Sequence, residues 1–236
     1  MLHNKEVVRL DFGQHAEQDG FLYELGSLLG WRSGTLVWML YGFFDESGEH
    51  DAADRLIRLT IGGGLATFDT WQALTKDWVT VLANHGIETF HSANDKNNDL
   101  LMQDIYRVID KYPMWMFGTT HIGQHKDNLF KEAYGKGVIE LLKMVHRQAD
   151  TERDEFQLVF AEHRDFRIGR IARYCEKMKL LLPKLNGWSS SRPQTCLPLQ
   201  LSDLVAHAVK CSATGDHRQV ERLRHKHSFQ IFTSQP

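Results

Sequence analysis

The segment that most constrains the fold is a run of apolar residues near the start of the chain. Residues 37–45 read VWMLYGFFD and show no alternation of apolar and polar side chains. Successive side chains of a strand point to opposite faces of a sheet, so a strand without alternation is buried on both faces. The run therefore predicts a central strand in a sheet that other elements cover on both sides.

Strand and helix patterns then follow one another along the chain. Residues 55–66 (RLIRLTIGGGLA) alternate and predict a second strand, in which Gly62–Gly64 indicate a bulge or a close backbone contact. Further strands are predicted at 87–91, 114–122 and 156–163, helices at about 68–85, 98–111, 127–148, 167–182 and 197–210, and a loop at 186–195. Strands that alternate with helices after an initial strand pair predict an α/β domain with a mixed sheet.

Length and composition indicate one globular domain with an extension. Of the 236 residues, 42% are hydrophobic and 25% are charged, which is ordinary for a globular protein. Residues 1–36 show little periodicity, and we interpret them as an N-terminal extension, expected to be poorly ordered, before a domain at 37–236. The net charge of −2 gives no general attraction to nucleic acid, so such a partner would need a local basic patch.

Cysteine usage and hydropathy predict a cytoplasmic location. The three cysteines form no CxxC pair, which argues against a disulfide framework or a cysteine-rich zinc site. We find no signal-peptide pattern, and the apolar stretch 35–44 is too short to span a bilayer. We therefore expect no membrane partner, and the oligomeric state stays open.

Acidic residues close several of these apolar segments. Asp45 ends the first predicted strand, where Asp45–Gly48 is either a simple turn or the start of a metal site. Glu162 ends the strand at 156–163 after three apolar residues at alternate positions, and Asp165 is a second candidate there. The alternative for Glu162 is a strand end that reaches solvent or a cap for the next helix.

Asp203 is the most informative acid, because its predicted helix is apolar almost all round. A helix of that kind is normally buried, and a buried carboxylate is costly unless it is paired or bound to metal. Asp203 is therefore a site residue or a member of a buried hydrogen bond or ion pair. Glu88 and His91, in the short strand at 87–91, are further candidates, for which a structural role is the alternative.

These segments together resemble the family catalogued as domain of unknown function 3800. The resemblance covers about residues 40–210 and rests on FFDESG (43–48), the glycines of IGGGL, IETFHSA (87–93), FAEHRD (160–165) and LQLSDLVAHAV (199–209). The first and last of these motifs are quite specific, and the middle ones are loose. The family more often has Asp where this chain has Glu162, which leaves Glu162 and Asp165 open as the equivalent residue.

The resemblance implies a ribonuclease H-like fold and two-metal phosphodiester chemistry. Carried over residue by residue, it implies that four acids bind Mg²⁺ or Mn²⁺ and act in catalysis: Asp45, Glu88, Glu162 and Asp203. Two divalent ions need several carboxylates that converge on them, and magnesium prefers oxygen ligands. His91 would shuttle a proton or orient Glu88, and His207, one turn after Asp203, could do the same.

A basic segment could hold the phosphates of a nucleic acid. Residues 163–184 contain seven basic and two acidic residues, a net charge of +5. Four of the basic residues fall on one helical face: Arg167, Arg170, Arg173 and Lys177. A solvated helix face is the alternative interpretation.

The leading hypothesis is a metal-dependent nuclease or a related phosphodiester-transfer enzyme. A second hypothesis is a catalytically inactive module of the same fold that binds nucleic acid or protein. A third is a hydrolase of nucleotides or small phosphoesters, which the near-neutral charge favours. The patterns do not distinguish DNA from RNA.

Overall fold

The computed structural model describes residues 39–50, 56–122, 129–152, 155–162 and 184–234. The predicted extension, 1–36, and the predicted basic helix, 167–182, lie outside these residues. No helix within the described ranges is long and apolar enough to cross a membrane.

Within the described ranges, six strands form one mixed sheet and six helices accompany it. The strands are β1 (Met39–His50), β2 (Leu56–Thr67), β3 (Trp115–Ile122), β4 (Glu155–Ala161), β5 (Leu185–Ser191) and β6 (Ser228–Ser234). The helices are α1 (Phe68–Asn84), α2 (Ser92–Asp95), α3 (Asp99–Ile109), α4 (Leu129–Glu152), α5 (Leu197–Ala213) and α6 (Arg218–Arg224).

The strand order is β5-β4-β1-β2-β3-β6. Strands β1, β2 and β3 form an antiparallel meander, whereas β4 runs parallel to β1 and β5 runs parallel to β4. Strand β6 adds to the far edge, parallel to β3. The prediction of an α/β fold with a ribonuclease H-like mixed sheet flanked by helices is confirmed.

Strand β1 is central and buried on both faces, as its lack of alternation predicts. Leu40 and Phe44 belong to a hydrophobic cluster formed with α4 on one face. Tyr41 and Phe43 belong to a second cluster, formed with α1, α3 and α5 on the other face. We call these the α4 face and the α5 face.

The amphipathic helices also form where their periodicity predicts them. In α1 the four predicted core residues are the four buried ones: Trp71, Leu74, Trp78 and Leu82. Gly86, just beyond this helix, has a φ of +66°, a left-handed conformation that glycine adopts without strain.

Two local predictions are wrong, and one of two open alternatives is excluded. Asp45–Gly48 is not a turn, because β1 continues to His50 and pairs there with β2. Residues 87–91 form no strand, since they connect α1 to α2 through bends. Most of the predicted loop 186–195 is strand β5, which pairs with β4.

The glycines of β2 and β3 let α5 lie directly on the sheet. A Cβ atom at Gly62 would fall 2.6 Å from the Cα and N atoms of Ala206 in α5. A Cβ atom at Gly118 would fall 2.5 Å from a methyl carbon of Val209. The glycine run was predicted to form either a bulge or a close backbone contact. At Gly62 the structure shows the close contact, with the backbone of α5.

Candidate functional site

Asp45 lies in β1 on the α5 face, opposite Gly62 of β2. Its side chain is half-buried, and its Oδ1 atom accepts a hydrogen bond of 2.8 Å from the backbone N–H of Glu46. Because Gly62 has no side chain, the segment of α5 around Ala206 comes close to this part of the sheet. Asp45 is therefore held beside α5.

Asp203 comes from α5, where only 8% of its surface is exposed. Its Oδ2 atom accepts a hydrogen bond of 2.7 Å from the backbone N–H of Ser92, the first residue of α2. The neighbouring Ser202 donates its hydroxyl to the carbonyl oxygen of Phe43, at 2.8 Å. That bond ties the Asp203 turn of α5 to β1, two residues before Asp45.

The two aspartates act on each other electrostatically. Burial raises the pKa of Asp45 well above its usual value, and the negative charges of Glu46 and Asp203 raise it further. Burial also raises the pKa of Glu46 to about 7, with a smaller contribution from Asp203. We refer to Asp45, Glu46 and Asp203 as the acid cluster.

Sequence reasoning missed Glu46. Strand alternation assigned it to the face opposite Asp45, and no role was predicted for it. The paired carboxylates in FFDESG are a signal that could have found it, because adjacent acids at a buried strand raise each other's pKa.

His91 lies at the edge of the acid cluster. Its Nδ1 atom is 3.5 Å from Oδ2 of Asp203, and 60% of its side chain is exposed. In the neutral ring, Nδ1 accepts a hydrogen bond of 3.3 Å from the backbone N–H of Ala93. The same atom, when protonated, would instead donate toward Asp203.

Glu88 is not brought to the acid cluster. It is exposed in the connection between α1 and α2. Within the described parts of the chain, it does not join Asp45 and Asp203 in a group that could hold a metal ion. His91 therefore contacts Asp203 rather than the Glu88 that it was predicted to orient.

Gln200 anchors the loops around the cluster and was also missed. Its side chain is fully buried in α5, and its Oε1 atom accepts bonds from the indole N–H of Trp78 (3.2 Å) and the backbone N–H of Phe90 (3.1 Å). Its Nε2 atom donates to the carbonyl oxygen of Pro193 at 3.1 Å. One amide thus fixes the approach of the His91 loop to α5.

Glu162 follows β4 at the same end of the sheet. Phe160 pairs with Phe44, so Glu162 lies near the level of Glu46 on the neighbouring strand. Its Oε2 atom forms an ion pair with Nε of Arg192, at 3.2 Å. Glu162 is therefore engaged by a cation rather than by the acid cluster.

His207 lies one turn beyond Asp203 in α5 and is buried. Its Nδ1 atom is 3.3 Å from Oε1 of Gln219 and 3.6 Å from the Sγ atom of Cys211. Burial lowers the pKa of His207, which favours the neutral ring. Its contacts support a structural role.

Several predicted site residues cannot be placed. Asp165, the alternative to Glu162, lies outside the described residues. So do the four predicted nucleic-acid contacts: Arg167, Arg170, Arg173 and Lys177.

The donor chemistry of the acid cluster fits a hard divalent cation. In the part of the chain that the structure describes, no group of three or more His, Cys, Asp or Glu side chains is arranged to hold a metal ion. Magnesium, however, keeps several waters and is usually bound through one or two carboxylates. The carboxylates of Asp45 and Asp203 meet that smaller requirement.

Comparison with known proteins adds no homologue. No protein-family model and no curated protein sequence matches the chain.

Proposed function

We propose that this protein is a divalent-metal-dependent nuclease or a related phosphodiester-transfer enzyme of the domain of unknown function 3800 family, acting in the cytoplasm. The acid cluster is the observation that carries the proposal. A buried carboxylate whose pKa is raised by other carboxylates is destabilised in its charged form, and a bound cation would remove that penalty.

Asp45 and Asp203 are the two residues that would hold Mg²⁺ or Mn²⁺. A bound divalent ion would supply Lewis-acid stabilisation of a phosphate oxygen and activation of a water. Glu162 and Glu88 would join only after rearrangement, since Glu162 is paired with Arg192 and Glu88 is exposed in a loop.

The remaining residues position the reacting groups. Gln200 and the N–H of Ser92 hold the His91 loop against α5. When Nδ1 of His91 accepts the Ala93 N–H, its Nε2 carries the ring proton and is available to exchange it with substrate or solvent.

Substituting the two aspartates tests the proposal. We expect Asp45→Asn and Asp203→Asn each to reduce Mg²⁺- or Mn²⁺-dependent cleavage of single-stranded DNA, duplex DNA or RNA by at least about a hundredfold, since each removes a charged metal ligand. Asp69→Asn, at an exposed position in the first turn of α1, is the matched control and should retain activity. Full activity in either cluster variant would remove that residue from the site.

The ion pair between Glu162 and Arg192 favours a second candidate function, an inactive module that binds nucleic acid or protein. In an enzyme that has lost its metal ligands, an arginine would neutralise a former ligand such as Glu162 in place of the metal ion. Oligonucleotide binding that persists in EDTA, without cleavage of any substrate in Mg²⁺ or Mn²⁺, would support this candidate over the first.

A further inference from the structure

We infer that Lys96 and Lys210 form a phosphate-binding patch that guides a nucleic-acid strand past the acid cluster. The inference rests on the proposed function, because it assigns the substrate class of the same site. It concerns residues that the sequence patterns did not single out.

The first lysine is linked to Asp203 through α2. The N–H of Ser92, which begins α2, bonds to Asp203, and the N–H of Lys96, which follows this helix, bonds to the carbonyl oxygen of Ser92. Four residues of helix rise about 6 Å. Lys96 therefore lies about one turn away from the point where α2 meets Asp203.

The second lysine shares a face of α5 with Asp203. Lys210 follows Asp203 by seven residues, a spacing that returns to almost the same side of a helix, about 10 Å along the axis. His207 lies between them on this face. After burial, the positive charges of Lys210 and Lys96 also lower the pKa of His207, so both lysines lie near this histidine.

Both ammonium groups are uncompensated within the described part of the chain. Neither forms an ion pair there, whereas nearby arginines do: Arg218 binds Asp216 through two nitrogen atoms, at 2.9 and 2.8 Å. Arg222 similarly binds Asp110. Lys96 and Lys210 are thus the cations near Asp203 that remain available to an external anion.

The spacing suits a polynucleotide. The separation of about 10 Å along α5 between Asp203 and Lys210 is larger than one phosphate group, so an anion at Lys210 and one at the acid cluster would be different phosphates of one strand. Lysine contacts phosphate as a point charge and reads no base. The patch would therefore increase affinity without sequence preference, for substrates that extend beyond the cleaved bond.

Salt-dependent binding tests the patch separately from catalysis. The double variant Lys96→Ala/Lys210→Ala is titrated with a fluorescein-labelled 20-nucleotide single strand in EDTA, from low to high NaCl. Two lost contacts should reduce the slope of log K against log salt by about 1.4 and weaken binding on the order of tenfold at 0.1 M salt. The control, Lys76→Ala/Lys143→Ala, removes lysines from α1 and α4 and should leave the slope unchanged.

Cleavage of bis(p-nitrophenyl) phosphate with Mn²⁺ separates the two proposals. If the double variant shows a reduced slope of log K against log salt for the oligonucleotide but still cleaves this small diester, the patch is supported. An unchanged slope in the double variant overturns it, even if the small diester is cleaved. If the wild-type protein cleaves no substrate but the salt slope of its binding depends on the two lysines, the phosphate-binding patch is supported and the nuclease proposal is overturned.

Discussion

On one face of the sheet, α4 packs against large side chains, whereas on the other face α5 lies directly on glycine. Phe44, Phe117 and Phe160 fill the α4 face and are fully buried. On the α5 face, side chains at Gly62 and Gly118 would collide with α5. Asp45 and Asp203 lie on the face where glycines let the helix approach the sheet directly.

The difference teaches how a polar site is placed within a hydrophobic fold. Phenylalanines separate a helix from a sheet by the width of a ring and leave no room for converging short side chains. Glycines bring the helix backbone to the sheet, so that Asp203 and Asp45, with side chains of only two carbons, act on each other. Both faces carry large buried side chains that stabilise the fold, and the glycines on the α5 face permit the site.

Substitution on the α4 face should give the largest change in stability without affecting metal binding. Phe156→Ala removes a fully buried ring at the end of β4 remote from Glu162, and we expect a loss of about 3–5 kcal/mol in the free energy of unfolding. Urea denaturation measures the loss, and Mn²⁺ titration of the folded protein should give the wild-type affinity. A folded variant that no longer binds Mn²⁺ would contradict the separation of the two faces.

A single methyl group added on the α5 face should reduce stability less than Phe156→Ala does, but it should weaken metal binding. Gly62→Ala forces the backbone of α5 away at Ala206, and we expect a loss of about 1–3 kcal/mol together with at least a tenfold loss of Mn²⁺ affinity. Gly187→Ala in β5 is the matched control, because the nearest atoms to its new Cβ, at 3.9 Å, belong to Gln157. Wild-type stability and affinity in Gly62→Ala would show that the close approach is not required.

The acid cluster should make stability depend on pH in the absence of metal. The pKa of Glu46 is raised from its usual 4.5 to about 7, so the folded state binds more protons than the unfolded state between these values. Stability is then fully present below about pH 4.5 and is lost as the pH rises to about 7. We expect a decrease on the order of 1 kcal/mol, or a few degrees in melting temperature, over this window in EDTA.

Two changes should suppress that decrease. Glu46→Gln removes one titrating group and should flatten the dependence, and Mg²⁺ or Mn²⁺ at pH 8 should raise the melting temperature. A melting temperature that rises steadily from pH 5 to pH 8 in EDTA would contradict the assignment.

The smallest effect on stability is expected at the ion pair between Arg192 and Glu162, beside the acid cluster. Arg192→Ala breaks an exposed ion pair and should change stability by less than about 1 kcal/mol. It also releases Glu162, and if this acid is a metal ligand, Mn²⁺ affinity should rise several-fold. Calorimetric titration measures the affinity, and Glu162→Gln in the Arg192→Ala background should abolish the gain.

Hydrophobic patterns along the chain predicted most of the fold. Strand β1 and helices α1 and α5 were found because their apolar residues carry the core. Strand β5 was missed because Asn186, Gly187 and Ser189 resemble a loop, and its strand conformation depends on pairing with β4. A turn was one of two alternatives for Asp45–Gly48 because Asp, Ser and Gly favour turns locally, but pairing with β2 outweighs that preference.

The site was predictable only in part. Asp203 was recognised because a buried carboxylate in an apolar helix is costly without a partner. The structure shows that it accepts a hydrogen bond from Ser92 and that its charge raises the pKa of Asp45. Glu46 was not recognised. Strand alternation predicts only which face a side chain occupies and does not show that the charge of Asp203 affects the pKa of Glu46. The role of Gln200 was not predicted, because a buried amide has no periodic signal and two of its three partners, Trp78 and Phe90, are distant in sequence.

Gln200 has a consequence for how the site opens. The amides of Phe90 and Ser92 are both protected by side chains of α5, through Gln200 and Asp203. Neither amide can be released to solvent by motion of its own loop without breaking a bond to that helix. Hydrogen exchange at these two amides should therefore report the same opening event, with one common protection factor, and a cation bound at Asp203 should slow both together.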